Sequence, residues 1–179
     1  MEPVISRVCQ RMLFLAASLA FASCGGNDLP DSRSTAIRLD SERAPTTVTG
    51  DFITHSTTTG VQHVGELLLV KQDVFFTVTG GLSGTASSQD TVIINTSTGT
   101  GVFHGSGTFT GTTLGRSGTI GFLFDGTFTG FPTLPKLRGR IVFLPDTATG
   151  DLEGMHGHGT LEGIIDVGGT YAIEVGFGS

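Results

Sequence analysis

Gly105-Ser-Gly-Thr-Phe-Thr-Gly111 returns as Phe124-Asp-Gly-Thr-Phe-Thr-Gly130 and, with a leucine, as Gly157-His-Gly-Thr-Leu-Glu-Gly163. Each copy lies in a stretch where apolar residues alternate with small or polar ones. That period of two belongs to a strand with one buried face, and its repetition predicts a meander of similar antiparallel strands. Composition agrees. The chain of 179 residues holds 27 threonines and 28 glycines, but only three alanines after residue 45: Ala86, Ala148 and Ala172. Threonine, branched at Cβ, suits a pleated strand, whereas alanine, the best helix former, is nearly absent. The fold class is therefore all-β.

Working outward, eight strands are expected: Thr47–His55, Glu66–Thr79, Ser83–Asn95, Gly101–Thr110, Ser117–Thr129, Lys136–Leu144, His156–Ile164 and Thr170–Phe177. The second should kink near Gln72-Asp73. Phe131-Pro-Thr-Leu-Pro135 breaks the ladder, because proline lacks the N–H that a central strand needs. Pro145-Asp-Thr-Ala-Thr-Gly150 reads as a turn by composition, and Val167-Gly168-Gly169 as a hairpin. Eight strands with short connections predict an up-and-down antiparallel barrel, since closure removes exposed edges. A β-sandwich is the alternative. A barrel of this size is either filled by side chains or holds one small ligand.

The amino terminus reads as an address. Arg7 and Arg11 precede an apolar run from Met12 to Ala22, shorter than the roughly 20 residues that span a bilayer as a helix. Residues 1–23 thus form an expected signal peptide. Phe21-Ala22-Ser23-Cys24-Gly25 resembles the lipobox of bacterial lipoproteins, although leucine is usual where Phe21 stands. That resemblance implies cleavage before Cys24, acylation of Cys24, a membrane partner and the bacterial cell envelope. Gly25, in place of an aspartate, points to the outer membrane, facing periplasm or cell surface. Cys9 falls inside the signal, so Cys24 has no partner for an internal disulfide. Residues 24–45 have no apolar period and read as a tether; residues 46–179 form the barrel domain.

Charge narrows the partners. Net charge is −6. Without residues 1–23, which hold Arg7, Arg11 and Glu2, 8 basic and 15 acidic residues remain, a balance of −7. No basic stripe offers itself to nucleic acid. An integral outer-membrane barrel would need aromatic girdles, yet there is no tryptophan and one tyrosine, Tyr171.

Phe109-Thr-Gly-Thr-Thr-Leu-Gly-Arg116-Ser-Gly118, with Gly150-Asp151-Leu-Glu-Gly-Met-His-Gly157-His-Gly-Thr160, resembles the bacterial family catalogued as domain of unknown function 3224, over roughly residues 46–177. The family in turn is similar to the barrel of plant allene oxide cyclases and dirigent proteins. The resemblance implies the barrel rather than the sandwich and raises dimers or trimers as assemblies. It brings no established reaction and no catalytic residues, since a fold alone carries no function.

Candidate site residues remain few. His156 and His158 share a strand face with Thr160 and Glu162, and His104 shares one with Ser106 and Thr108. Such faces can bind ligands, or they are simply the solvated exterior. Arg116 is a candidate anion contact at the barrel mouth, or a structural partner of Asp125 or Asp151. Asp151 and Glu153 make a carboxylate pair beside a turn. Glu66 has the parity of Leu68 and Val70, so an inward register would make it a buried acid; with His104 it is the candidate for acid–base catalysis. No His-x-x-x-His or paired-cysteine spacing calls for a metal. The glycine-rich runs are not phosphate loops, and no cofactor is expected. The favoured expectation is a membrane-anchored barrel binding a small apolar ligand or a partner surface without catalysis. The alternative is an isomerase or cyclase resembling allene oxide cyclase.

Overall fold

The structure, a computed structural model, describes residues 44–178. The expected signal peptide, Cys24 and nearly all of the tether lie outside the described residues. Within them, eight strands follow in order: β1 (Thr46–Val64), β2 (Leu67–Gly80), β3 (Leu82–Asn95), β4 (Thr100–Thr113), β5 (Arg116–Thr129), β6 (Lys136–Gly150), β7 (Met155–Ile164) and β8 (Gly168–Phe177). Every neighbour in sequence is a neighbour in the sheet, all pairs are antiparallel, and β1 closes onto β8 from Thr46↔Val175 to Ile53↔Gly168. The closed ring excludes the sandwich.

The period of two sorts each strand. Val48 and Phe52 of β1, Val74 and Val78 of β2, and Ile120, Phe122, Phe124 and Phe128 of β5 all point inward. Intervening threonines and charges point outward, the reverse of an outer-membrane barrel, whose exterior is the apolar side. The Gly-Thr-Phe repeat acquires a packing reason. Gly101, Gly105 and Gly107 of β4 lie opposite Phe128, Phe124 and Phe122 of β5. A Cβ on any of the three would sit 2.3 to 2.7 Å from the facing ring. Glycine on one strand thus clears the floor for the ring from the next, a device that lets a small barrel coil tightly around aromatic filling.

One connection differs from the sequence expectation. Pro145–Gly150 is not the turn. β6 bulges there, with Leu144↔Gly121 and Thr149↔Thr119 flanking an irregular stretch, and the turn proper is Asp151–Gly154. Thr147 makes the bulge possible: its hydroxyl accepts from Gly121 N–H at 2.7 Å and donates to the Leu144 carbonyl at 2.6 Å, standing in for lost ladder bonds. At Gln72-Asp73, where a kink is expected, β2 keeps an unbroken register with β3. The irregularity falls on the facing strand, between Thr58 and Gly60, directly opposite Gln72 and Lys71. Phe131-Pro132 does interrupt the ladder, as expected, between β5 and β6.

The two ends of the barrel are unlike. At one, Leu152 of the β6–β7 turn and Met155 at the start of β7 are 0 % exposed and plug the lumen. There Tyr171 accepts from Leu82 N–H at 2.7 Å, and its own proton has the Thr79 and Leu82 carbonyls within 3.1 Å. At the other end strand lengths are mismatched. β1 runs on from Thr54 to Val64 beyond its last β8 partner, Ile53, and pairs there with β2 alone. Past that point the wall between β1 and the β7–β8 turn is joined by a side-chain link, from the Ser56 hydroxyl to the Asp166 carboxylate.

Candidate functional site

The lumen is divided rather than hollow. Phe52, Phe76, Phe124 and Leu161 form a waist shared by two cavities of about 60 Å³ each. Phe76 packs edge-on against Phe122 and Phe124 at 6.5 and 6.4 Å, an arrangement aromatic quadrupoles favour. The first cavity, toward the plugged end, is walled by apolar side chains and the Tyr171 ring. The second reaches Asp166 of the β7–β8 turn and contains polar groups: Asp90, Gln72 and Thr54.

Asp90 anchors this second cavity. It lies on β3 at the parity of Ala86, Val92 and Ile94, which directs it inward, and it is 8 % exposed. Its β4 partner is Gly105, where a Cβ would stand 2.5 Å from Asp90 Oδ1. A larger residue there would push the carboxyl out of place. Ser88 donates to Oδ1 at 2.6 Å, and the side chain of Gln72, the cross-strand partner on β2, also favours the ionised carboxylate. Burial pushes the Asp90 pKa up to about 6; Ser88, Gln72 and nearby His104 pull it down by less. Thr54, on β1 across the cavity, has its hydroxyl oxygen buried without a hydrogen-bond partner. Unpaired buried oxygens are uncommon because each forfeits its hydration.

The residues singled out from sequence stand elsewhere. Glu66 does have inward parity, but it sits in the β1–β2 turn, exposed, where its carboxylate accepts from the Ser97 hydroxyl at 3.0 Å. His104 faces solvent between Thr91 and Asp125. His156 and His158 are exposed, with Met155 and Leu161 pointing inward as the exterior reading of that strand requires. His158 Nε2 lies 3.8 Å from Glu174 Oε2, a solvated pair of small energetic consequence. Arg116 meets neither proposed carboxylate. Its guanidinium lies over the Phe177 ring, 4.0 Å from the centroid, at the plugged end. Asp125 instead binds Arg140 at 2.8 Å, and Asp151 accepts from the Ser117 hydroxyl at 3.2 Å. Asp151 and Glu153 are exposed in their turn. The structure gathers none of these candidates into one cleft.

Sequence reasoning does not single out Asp90, Gln72 or Thr54. A signal exists for two of them: Asp90 and Gln72 are polar residues at the inward parity of strands whose inward faces are largely apolar. For Thr54 there is none, since threonine is common on both faces.

A family model described as "Protein of unknown function (DUF3224)" matches residues 48–174. Among solved structures, the crystal structure at 1.84 Å of a DUF3224 protein with unknown function from Shewanella oneidensis MR-1 is similar, with a TM-score of 0.64 and 20 % identity. The alignment covers 75 % of this chain and 98 % of that one; at such identity the likeness concerns the fold. No curated protein matches the chain. The family match runs from inside β1 to inside β8 and so takes in the whole ring: the chain belongs to the DUF3224 family.

Proposed function

We propose that this chain is a lipid-anchored envelope protein whose barrel binds a small, largely apolar molecule in the open half of its lumen, without catalysis. The observation that carries the binding reading is the second cavity: aromatic walls with three convergent polar groups, reaching the end of the barrel where β1 outruns β8. Small-molecule sites have this composition, apolar lining with a few placed polar groups. The enclosed volume of about 60 Å³ limits what enters. An apolar cavity that takes benzene is nearer about 150 Å³. The occupant therefore inserts a group of a few heavy atoms and leaves the remainder at the mouth. Anchoring rests on the lipobox-like Phe21–Gly25 and on the apolar run before it; two or more acyl chains on Cys24 give stable membrane attachment, which one chain does not.

A second reading, an isomerase or cyclase, loses Glu66 and His104, both outside the lumen. It keeps Asp90, whose raised pKa suits a general acid or base. The waist and the small cavity favour binding over the enclosure of a whole substrate.

The test is an NMR titration of the soluble barrel, residues 46–179 with their closed ring, against small apolar probes of each charge type. Saturable shifts at Phe76, Val92 and Leu161 are expected. If no probe moves these signals at millimolar concentration, the lumen is a packed core and the binding reading falls.

A further inference from the structure

The polar groups of the open cavity are of one kind. Asp90 presents a carboxylate held in place by Ser88, with Gln72 beside it, and the buried Thr54 hydroxyl oxygen in the same cavity has no partner. Asp166 stands at the mouth. No lysine, arginine or histidine lines the cavity, so its two ionisable groups are both acids. Around them stand Phe52, Phe76, Phe103 and Phe124, whose rings meet at 6.0 to 6.4 Å in tilted or edge-on pairs. Ring faces carry negative quadrupole and attract cations. Each of these features disfavours an anion, and a neutral molecule would leave the buried carboxylate without a counter-charge. A metal ion is a poor match as well. Hard divalent cations seek six or more oxygens, whereas beyond Asp90, Gln72 and Thr54 the walls are mostly phenylalanine and aliphatic.

We infer that the open cavity takes a small organic cation, an amine in its ammonium form, with its nitrogen against Asp90 and Thr54 and its first carbons among the four phenylalanines. The inference rests on the reading of this cavity as a binding pocket and specifies its occupant. An ammonium group brings several N–H donors to oxygens that accept, and it supplies the missing charge. The adjoining carbons replace water against the rings, and a cavity of about 60 Å³ accommodates such a head but not a large ring system. Recognition of ammonium by an aromatic cage is a recurring physical solution; here a carboxylate at its floor adds a charge-assisted hydrogen bond.

Matched probes with the same four-carbon tail decide it: n-butylamine, 1-butanol and butyrate, titrated by NMR into the barrel at pH 7.5. The amine is expected to bind at least about tenfold more tightly than the alcohol, and butyrate to leave lumen signals unmoved. Asp90→Asn should bring amine and alcohol within about twofold while the alcohol's affinity holds. Lowering the pH to 5 should cost the amine about tenfold, because a carboxyl with its pKa near 6 is then roughly nine-tenths protonated. The alcohol should not change. The other ionisable groups near Asp90 are Asp73 on β2, His104 on β4 and Asp166 in the β7–β8 turn. His104→Gln and Asp166→Asn at both pH values should preserve the drop. Equal binding of amine and alcohol, or an amine preference that survives Asp90→Asn, overturns the cation and leaves the binding pocket standing. Silence of all three probes at the lumen overturns both.

Discussion

The two halves of this barrel are built from the same eight strands yet are finished differently. Toward the plugged end, Leu152 and Met155 fill the bore and Tyr171 meets the backbone of the β2–β3 turn. Toward the open end, a carboxyl is buried at the floor of an aromatic pocket and a threonine oxygen is left without a partner. One half follows the rules of a stable core; the other departs from them in a coherent direction. Local departures of this type mark places shaped for something other than stability.

The contrast is sharpened most by a core truncation. Phe109, 2 % exposed on β4, belongs to the plugged side's apolar wall. Phe109→Ala should destabilise by about 3–5 kcal/mol in urea unfolding, because a cavity is left that the stiff barrel cannot collapse. A loss below about 1 kcal/mol would mean that this half is no firmer than the other.

The opposite sign is expected at Asp90. Its folded pKa lies near 6, above the usual 3.8, so the folded chain holds a proton that the unfolded chain releases. Stability should fall as pH rises from about 4 to about 6 and remain low above that. Asp90→Asn removes this dependence. At pH 8 it should stabilise by on the order of 2 kcal/mol, since each tenfold change in proton affinity between folded and unfolded chain is worth about 1.4 kcal/mol and the amide retains part of the hydrogen bonding. At pH 4 the two proteins should unfold together. Denaturant curves at both pH values check this; a loss of stability at pH 8 would place Asp90 among the structural residues.

The smallest effect belongs to the outer face. His158→Ala removes a solvated contact with Glu174 and should change stability by less than about 0.5 kcal/mol. It should leave any lumen ligand's affinity unaltered; a larger change would connect the exterior with the pocket.

The alternation was legible in the sequence, and with it the ring, the inward Met155 and Leu161, and the outward histidines. Strand register decides those features, and a register shifted by one would expose the whole core. The site was legible only in part. Asp90 and Gln72 could have been flagged by parity, but each needed the other's strand, and Gly105 beneath, to become a pocket floor. Thr54 and Asp166 enter it from β1 and from the β7–β8 turn, through the way the sheet wraps. Arg116 over Phe177 is likewise a product of closure, since β5 and β8 are not neighbours in the ladder. Pro145–Gly150 misled because bulges and turns draw on the same residues.

The uneven length of β1 has a kinetic consequence. A molecule passing through the wall of a closed barrel must wait for a ladder of backbone hydrogen bonds to open. Here the seam between β1 and the last turn, beyond the β1–β8 ladder, carries a link from half-buried Ser56 to exposed Asp166. On the proposed binding reading, admission past this link needs the swing of a side chain, a motion of nanoseconds rather than the far slower unzipping of a strand.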